Sequence, residues 1–393
     1  MNRATTFGLF YLAVLLQAGA YGLTFMLPKL FEAFGADEKM VGAMLFVTAL
    51  TTIITVYFAG HLTDKFGRVK MLSIGCGTIA VALASYGFAS GIGALVVAAS
   101  VMLGFGWGLT YSLAPIVLTT LVSESERIRG FTLLSVAVMA GFGLSPVLAS
   151  VLENVGFSLN SAFYVTAALC AASTMVFFAL VGPVQRHAFQ GDGNDRSSLS
   201  WVTVRHILTS PSRLPLAMVC IGASVFAGVN NFQTVLAEER ALNYADFFVV
   251  YTITVIIFRL LLARFKGGQN PYLTIALLQY VMFASIMLFF VIFDNAILYW
   301  AVAFLFGIGY GVSYPLLVSM AARDADTDLL AQTLQLFALT YFIGIFCFPL
   351  LAGWIIVELG TSALLMLVAT LAAIEATMAL VRSQTQSPDK VGG

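Results

Sequence analysis

Of the 393 residues, 60% are hydrophobic and only 10% charged, with 19 basic and 19 acidic side chains and a formal net charge of zero. Globular domains carry roughly 25% charged residues, so this composition excludes an ordinary water-soluble protein and requires lipid as the solvent. The balanced charge also removes the basic surplus that nucleic-acid binding or electrostatic adhesion to a membrane surface would need, and no nucleic-acid partner is expected.

The chain enters an apolar run almost at once, MNRATTFGLFYLAVLLQ, without a small-residue cleavage site, so this run reads as a first spanning helix and not a removable signal peptide. A span needs about 20 mostly apolar residues. Such segments follow one another at 6–31, 41–60, 70–90, 93–121, 130–152, 160–182, 214–237, 246–264, 271–292, 296–320, 330–355 and 360–381. The expected fold class is therefore an all-α membrane protein of about twelve transmembrane helices.

The longest polar interruption, 183–213, divides the spans six and six. It predicts an N-terminal six-helix bundle over 1–182, a cytoplasmic central loop over 183–213, a C-terminal bundle over 214–381 and a cytoplasmic tail over 382–393. The halves also resemble one another in sequence. Gly106-Trp107-Gly108-Leu109-Thr110-Tyr111 matches Gly309-Tyr310-Gly311-Val312-Ser313-Tyr314 at an offset of 203, and Pro146 matches Pro349 at the same offset. Two independent matches at one spacing point to a duplicated unit, and parallel six-helix repeats with a solute site between them are an architecture that produces this pattern. With both termini inside, all but three of the 19 basic residues fall on the cytoplasmic side, the exceptions being Lys29, Lys39 and Arg240.

Between the second and third spans stands Gly60-His61-Leu62-Thr63-Asp64-Lys65-Phe66-Gly67-Arg68-Val69-Lys70. This segment resembles the loop signature of the major facilitator superfamily at every defining position, and the twelve spans and duplicated halves extend the resemblance over essentially the whole chain. Physically, Gly60 would let two helices approach, Gly67 would permit a tight turn, and Asp64 would gain from a helix N-terminus and from Arg68. The resemblance implies a cytoplasmic gating latch of Gly60, Asp64, Gly67, Arg68 and Lys70, joined by an acidic residue after the fourth span, a place that Glu124 or Glu126 fills. A purely topological role for the basic residues is the alternative.

The second half keeps only a fragment of the signature, from Arg259 to Gly268, with Ala263 where the family has glycine. In the fifth span, Gly141-Phe142-Gly143-Leu144-Ser145-Pro146 resembles an exporter-associated glycine–proline pattern, with small residues replacing some glycines. Gly141, Ser145, Pro146 and Pro349 are read as helix-packing positions, with or without a bearing on direction. The fourth-span arginine of proton-driven exporters is missing, since Ser100 holds its place ahead of Gly104.

Polar groups inside a bilayer usually face a cavity or another helix. Gln17, Tyr21 and Thr24 share one face of the first span, and Asn230, Asn231 and Gln233 fall together in the seventh. Trp107 with Tyr111, Tyr310 with Tyr314, and Gln335 complete the candidate substrate-binding set, which would line an amphipathic cavity of little fixed charge. Interhelical bonding and interfacial placement are the competing readings for each member. Arg259 and Glu375 are ionisable residues within spans, set in from their ends, and are candidate coupling groups, Glu375 falling in the last third of the twelfth.

The four cysteines lie in apolar runs and read as buried packing residues. No catalytic residue, metal site or cofactor is expected, because the histidines lack metal-ligand spacing and no phosphate-cradling GxxxxGK[ST] run occurs. The expectation is a monomeric secondary transporter in the cell (inner) membrane, with a small-molecule solute, protons and the lipid bilayer as its partners. Efflux by proton antiport is the first reading and uptake by symport the second. A non-transporting sensor or a membrane-embedded enzyme is the reading of another class.

Overall fold

A computed structural model gives the fold over residues 2–122, 127–187, 200–262 and 270–385, excluding the side chains of His61, Asp64, 127–129, His187, Thr327 and Ala331. Among the described residues twelve helices are long and apolar enough to cross a membrane. The chain divides into two compact units, Met1–Asp195 and Arg196–Gly393.

The first unit holds α1 (Arg3–Leu23), α2 (Leu27–Glu32), α3 (Glu38–Phe66), α4 (Arg68–Phe88), α5 (Ala94–Leu121), α6 (Arg127–Asn154) and α7 (Leu159–His187). The second holds α8 (Trp201–Thr209), α9 (Arg213–Asn231), α10 (Gln233–Glu238), α11 (Tyr244–Leu262), α12 (Pro271–Leu288), α13 (Ala296–Arg323), α14 (Leu330–Leu359) and α15 (Thr361–Thr385). Several starts are set by side-chain caps that occupy otherwise orphan amides. Asn2 accepts from Thr5 N at 2.8 Å, Asp37 from Met40 N at 3.1 Å and Asn270 from Leu273 N at 3.2 Å.

Four features depart from the sequence expectation. The first span breaks into α1, a 3-10 turn at Thr24–Met26, and α2, whose Pro28 sits in the first turn where a missing N–H costs nothing. The seventh breaks in the same way at Phe232, between α9 and α10. The predicted central loop also contains helix: α7 runs on to His187, and Trp201–Thr209 form α8, capped by Ser200. The family signature is less a loop than a helical corner. Gly60 to Phe66 are the last two turns of α3, Gly67 alone leaves the helix with φ +87°, and Arg68 begins α4.

Packing in each unit follows the duplicated glycines. A Cβ at Gly104 would strike the Thr48 carbonyl of α3, and one at Gly307 would lie 3.2 Å from the Tyr251 carbonyl of α11. On the opposite face, a Cβ at Gly106 would lie 2.7 Å from Gly75 O of α4, and one at Gly309 2.8 Å from Leu278 O of α12. Gly108 and Gly311 repeat the arrangement against Thr55 and Val255. Glycines two apart alternate between faces of one helix, so a single short motif lets α5, and again α13, be gripped from both sides. Where glycine bares the α5 backbone, threonines of α3 bond to it: Thr48 Oγ1 donates to Ser100 O and Thr52 Oγ1 to Gly104 O, both at 3.1 Å.

Candidate functional site

In the first unit, α1 and α5 bring four of the predicted residues together. The Tyr21 ring lies 5.0 Å from the Trp107 ring and 6.3 Å, edge-on, from that of Tyr111. Its hydroxyl is 2.7 Å from Thr110 Oγ1, and Gln17 Nε2 donates to the same oxygen at 3.3 Å. Thr110 is thus the hub, and it was not among the sequence candidates. Thr24 does not join the group, because its hydroxyl donates to the Tyr21 carbonyl of its own helix at 2.7 Å. All of these side chains are buried except Tyr111, which is half-buried.

In the second unit the polar residues of the broken seventh span point elsewhere than to one another. Asn230 and Asn231 donate to the carbonyls of Phe226 and Ala227 one turn back, at 3.0 and 3.1 Å. Gln233 Nε2 bonds Tyr299 OH at 2.5 Å. The acceptor oxygens of Asn230 and Gln233 are buried without a hydrogen bond. Tyr310 stacks on Phe226 at 4.5 Å and neighbours Phe306 at 6.1 Å. Tyr314 lies 5.2 Å from Tyr341. Gln335 keeps a buried oxygen without a hydrogen bond. Tyr251, Tyr299 and Tyr341 are the functional candidates that sequence reasoning missed; tyrosines in long aromatic runs carry no mark of which ring meets which.

Arg259 Nε donates to Gly311 O at 2.9 Å, so it ties α11 to the repeated motif on α13. Glu375 is wholly buried, and Gln279 Nε2 donates to its Oε1 at 2.8 Å and to Ser313 Oγ at 3.1 Å. In a helix spanning Thr361–Thr385 it sits close to mid-length and not in the last third, because α15 runs beyond the predicted end at 381.

At the signature corner, a Cβ on Gly60 would meet nothing within 4 Å, which corrects the expectation of a close helix approach there. Gly67 does supply the tight turn. Arg68 and Lys70 are exposed and form no ion pair among the described side chains. Glu124, Glu126 and the Asp64 side chain lie outside the described residues, as do 263–268 of the second-half fragment. The backbone places Asp64 in the last turn of α3. In the fifth span, a Cβ on Gly141 would lie 2.5 Å from Leu15 O of α1, so this glycine is a packing contact, and Ser145 and Pro146 lie within the same helix α6; Pro349 is likewise internal to α14. The place of the missing arginine is filled neutrally: Ser100 Oγ lies 2.7 Å from Tyr86 OH. Cys76 and Cys170 are buried, whereas Cys220 and Cys347 are only half-buried, which corrects their reading as core residues.

One ionic knot was not foreseen. Asp324 accepts from Tyr272 OH at 2.7 Å and lies 3.2 Å from Arg323 and 3.6 Å from Arg382, joining the ends of α12, α13 and α15.

Among the described residues, twelve apolar helices in two units, each burying amide, hydroxyl and aromatic groups between its helices, define a multi-pass membrane protein of the transporter class. A sequence profile described as Major Facilitator Superfamily matches residues 9–347, and the chain belongs to that superfamily of membrane transporters. It is 24% identical over 306 residues to the staphylopine export protein of Staphylococcus aureus, covering 76% of this chain and 75% of that one. An uncharacterized MFS-type transporter of Bacillus subtilis, YwfA, is 30% identical over 170 residues, 41% of this chain and 38% of YwfA. Among solved structures, a POT family transporter in complex with 5-aminolevulinic acid superposes with a TM-score of 0.78 at 14% identity, over 97% of this chain and 96% of that one. The human organic anion transporter MFSD10 gives 0.68 at 16%, over 96% and 100%. At these identities the structures attest the fold alone.

Proposed function

We propose that this transporter is a secondary active exporter of a small organic solute, working by alternating access as a monomer and driven by an ion gradient with protons as the counter-ion. The observation that carries the direction is the relative named for export, which matches over three quarters of both chains. The small-residue and proline pattern of α6, tightly packed at Gly141 on α1, supports the same direction.

The chemistry of the solute follows from the groups on offer. Within the first unit Gln17, Thr110, Tyr21, Trp107 and Tyr111 provide hydrogen-bond donors, acceptors and aromatic faces with no fixed charge; within the second, Gln233, Tyr310, Tyr314 and Gln335 provide groups of the same kinds. Groups of these kinds suit an amphipathic neutral or zwitterionic molecule better than a multiply charged one. The distribution of Lys and Arg supports cytoplasmic placement of both termini in a cell (inner) membrane.

The test is an untargeted mass-spectrometric comparison of cell contents and medium between a deletion strain and an overproducer. A compound retained in deletion cells and enriched in the medium of the overproducer establishes export and gives the solute class. The opposite pattern makes the protein an uptake carrier.

A further inference from the structure

We infer that Glu375, with Gln279 and Ser313, forms a proton-binding site inside the second unit. The inference rests on the transporter reading above only for the work the proton does; the site itself stands on its own geometry.

The carboxyl is 0% exposed, near the middle of α15, and its partners lie near the middle of α12 and on α13. About ten residues of helix, some 15 Å, separate it from the nearer end of α15. One oxygen accepts from Gln279 Nε2 at 2.8 Å, while Oε2 is buried without a hydrogen bond, and Gln279 Oε1 is in the same condition. Among the described residues no cation pairs with the group. The charged and titratable side chains on the helices packed against α15 are Arg213 and Cys220 on α9, Tyr272 and Tyr280 on α12, and Tyr341, Cys347 and Glu358 on α14. None of them hydrogen-bonds or pairs with Glu375. Tyr272 donates to Asp324, Arg382 of its own helix lies beside Asp324, and Tyr280 OH is 3.4 Å from Thr377 Oγ1.

A carboxylate in such a place is expensive, and the amide beside it is suited to both of its protonation states. With Nε2 toward Glu375, Gln279 donates to a carboxylate. Turned through 180°, it offers the oxygen now left unbonded to the O–H of a carboxylic acid, while Ser313, able to donate or accept, stays bonded to either end. Proton gain and loss thus exchange one hydrogen-bonded Glu375–Gln279 pair for another by a side-chain rotation, with Ser313 turning its proton from the Tyr310 carbonyl to the amide oxygen.

The duplicated frame shows that packing does not require these groups. At the offset of 203 that relates the halves, the first unit has Cys76 where the second has Gln279, and Ala172 where it has Glu375. The register is fixed by contacts: Gly106 meets Gly75 and Ile79, and Gly309 meets Leu278 and Met282, the residues 203 further on. One half therefore packs the same helices with a thiol and a methyl. A carboxyl and an amide in the other half call for a chemical reason, and proton exchange is one that gives the unbonded Gln279 oxygen a partner. Entry is controlled at Gly222 of α9, where a Cβ would lie 2.9 and 3.0 Å from the two carboxylate oxygens. The bare backbone lets α9 close over the group without displacing the carboxyl oxygens, and a small withdrawal of α9 uncovers it.

The experiment is infrared spectroscopy of the full-length protein in lipid nanodiscs, titrated from about pH 5 to about pH 9, across the range where displaced carboxyl groups titrate. Wild type is expected to show a carboxylic-acid carbonyl band that bleaches as pH rises and that Glu375→Gln lacks; Gln279→Leu is expected to move its frequency and midpoint. A band that persists at every pH makes Glu375 a permanently neutral structural group and overturns the proposal. So does the absence of any band that Glu375→Gln removes, or bleaching by sodium at constant pH, which would make this a metal-cation site. Should Glu375→Gln fail to fold, Glu375→Asp must shift the band, and an unshifted band refutes the assignment. In proteoliposomes, Glu375→Gln is expected to retain downhill exchange of the solute and lose uphill movement driven by a pH gradient. If wild type moves no solute at all, the transport reading fails, while the infrared result still decides the proton site.

Discussion

Thr110 shows how much a single hydroxyl organises. It serves both Gln17 and Tyr21 across the α1–α5 contact, and it occupies the same place in the repeat as Ser313, which serves Gln279. Hydrogen bonds between membrane helices average only about 0.6 kcal/mol, so Thr110→Val is expected to lower thermal stability by about 1 kcal/mol while disturbing the orientation of the Tyr21 ring. The expected outcome is a several-fold weaker apparent affinity for the solute, recovered by Thr110→Ser, measured in transport assays alongside a melting curve. Unchanged affinity would remove Thr110 and Tyr21 from the solute's path. The signal that could have found this residue was present in the sequence: the two matching hexapeptides carry a hydroxyl at the same position. What the hexapeptides could not reveal is that Thr110 turns toward α1 while Ser313 turns toward α12 and Glu375.

At the scale of the helix, glycines divide into those that hold elements together and those that shape a corner. Gly309 admits the α12 backbone, so Gly309→Leu is expected to abolish folded protein in detergent, as judged by size-exclusion chromatography, because its side chain would lie where Leu278 O and Met282 already are. Gly60 faces open space, so Gly60→Ala is expected to leave both folding and melting temperature unchanged; a marked loss would restore the close-approach role that the sequence had suggested. Gly67 adopts a φ of +87°, and Gly67→Ala is strained there whatever the space. Asp64, in the last turn of α3 beside this corner, tests the latch. Asp64→Asn is expected to cut transport by about tenfold, equivalent to about 1.4 kcal/mol of barrier, with the protein still inserted and monodisperse, whereas an undiminished rate would show that the signature only sets topology.

Taken whole, the molecule is one six-helix plan used twice with different chemistry. Fluorescent-protein fusions at either end are expected to fluoresce and alkaline-phosphatase fusions to stay inactive, since both report cytoplasmic placement of the termini; active phosphatase at either end would overturn the orientation read from Lys and Arg. Helix number, the duplication and the family signature were legible in the sequence because each is a local or periodic property: apolar length records the thickness of the bilayer, and a repeat records itself. The breaks at Thr24 and Phe232 were not, because a few polar or bulky residues interrupt a helix only when neighbours accept the freed backbone groups. The grouping of the polar side chains was decided by tertiary structure alone. Gln17 and Thr110 are 93 residues apart, and Gln279 and Glu375 are 96. In a chain where 60% of the residues are hydrophobic, pattern reveals that a polar group is buried, but the packing of distant helices chooses the partner it meets.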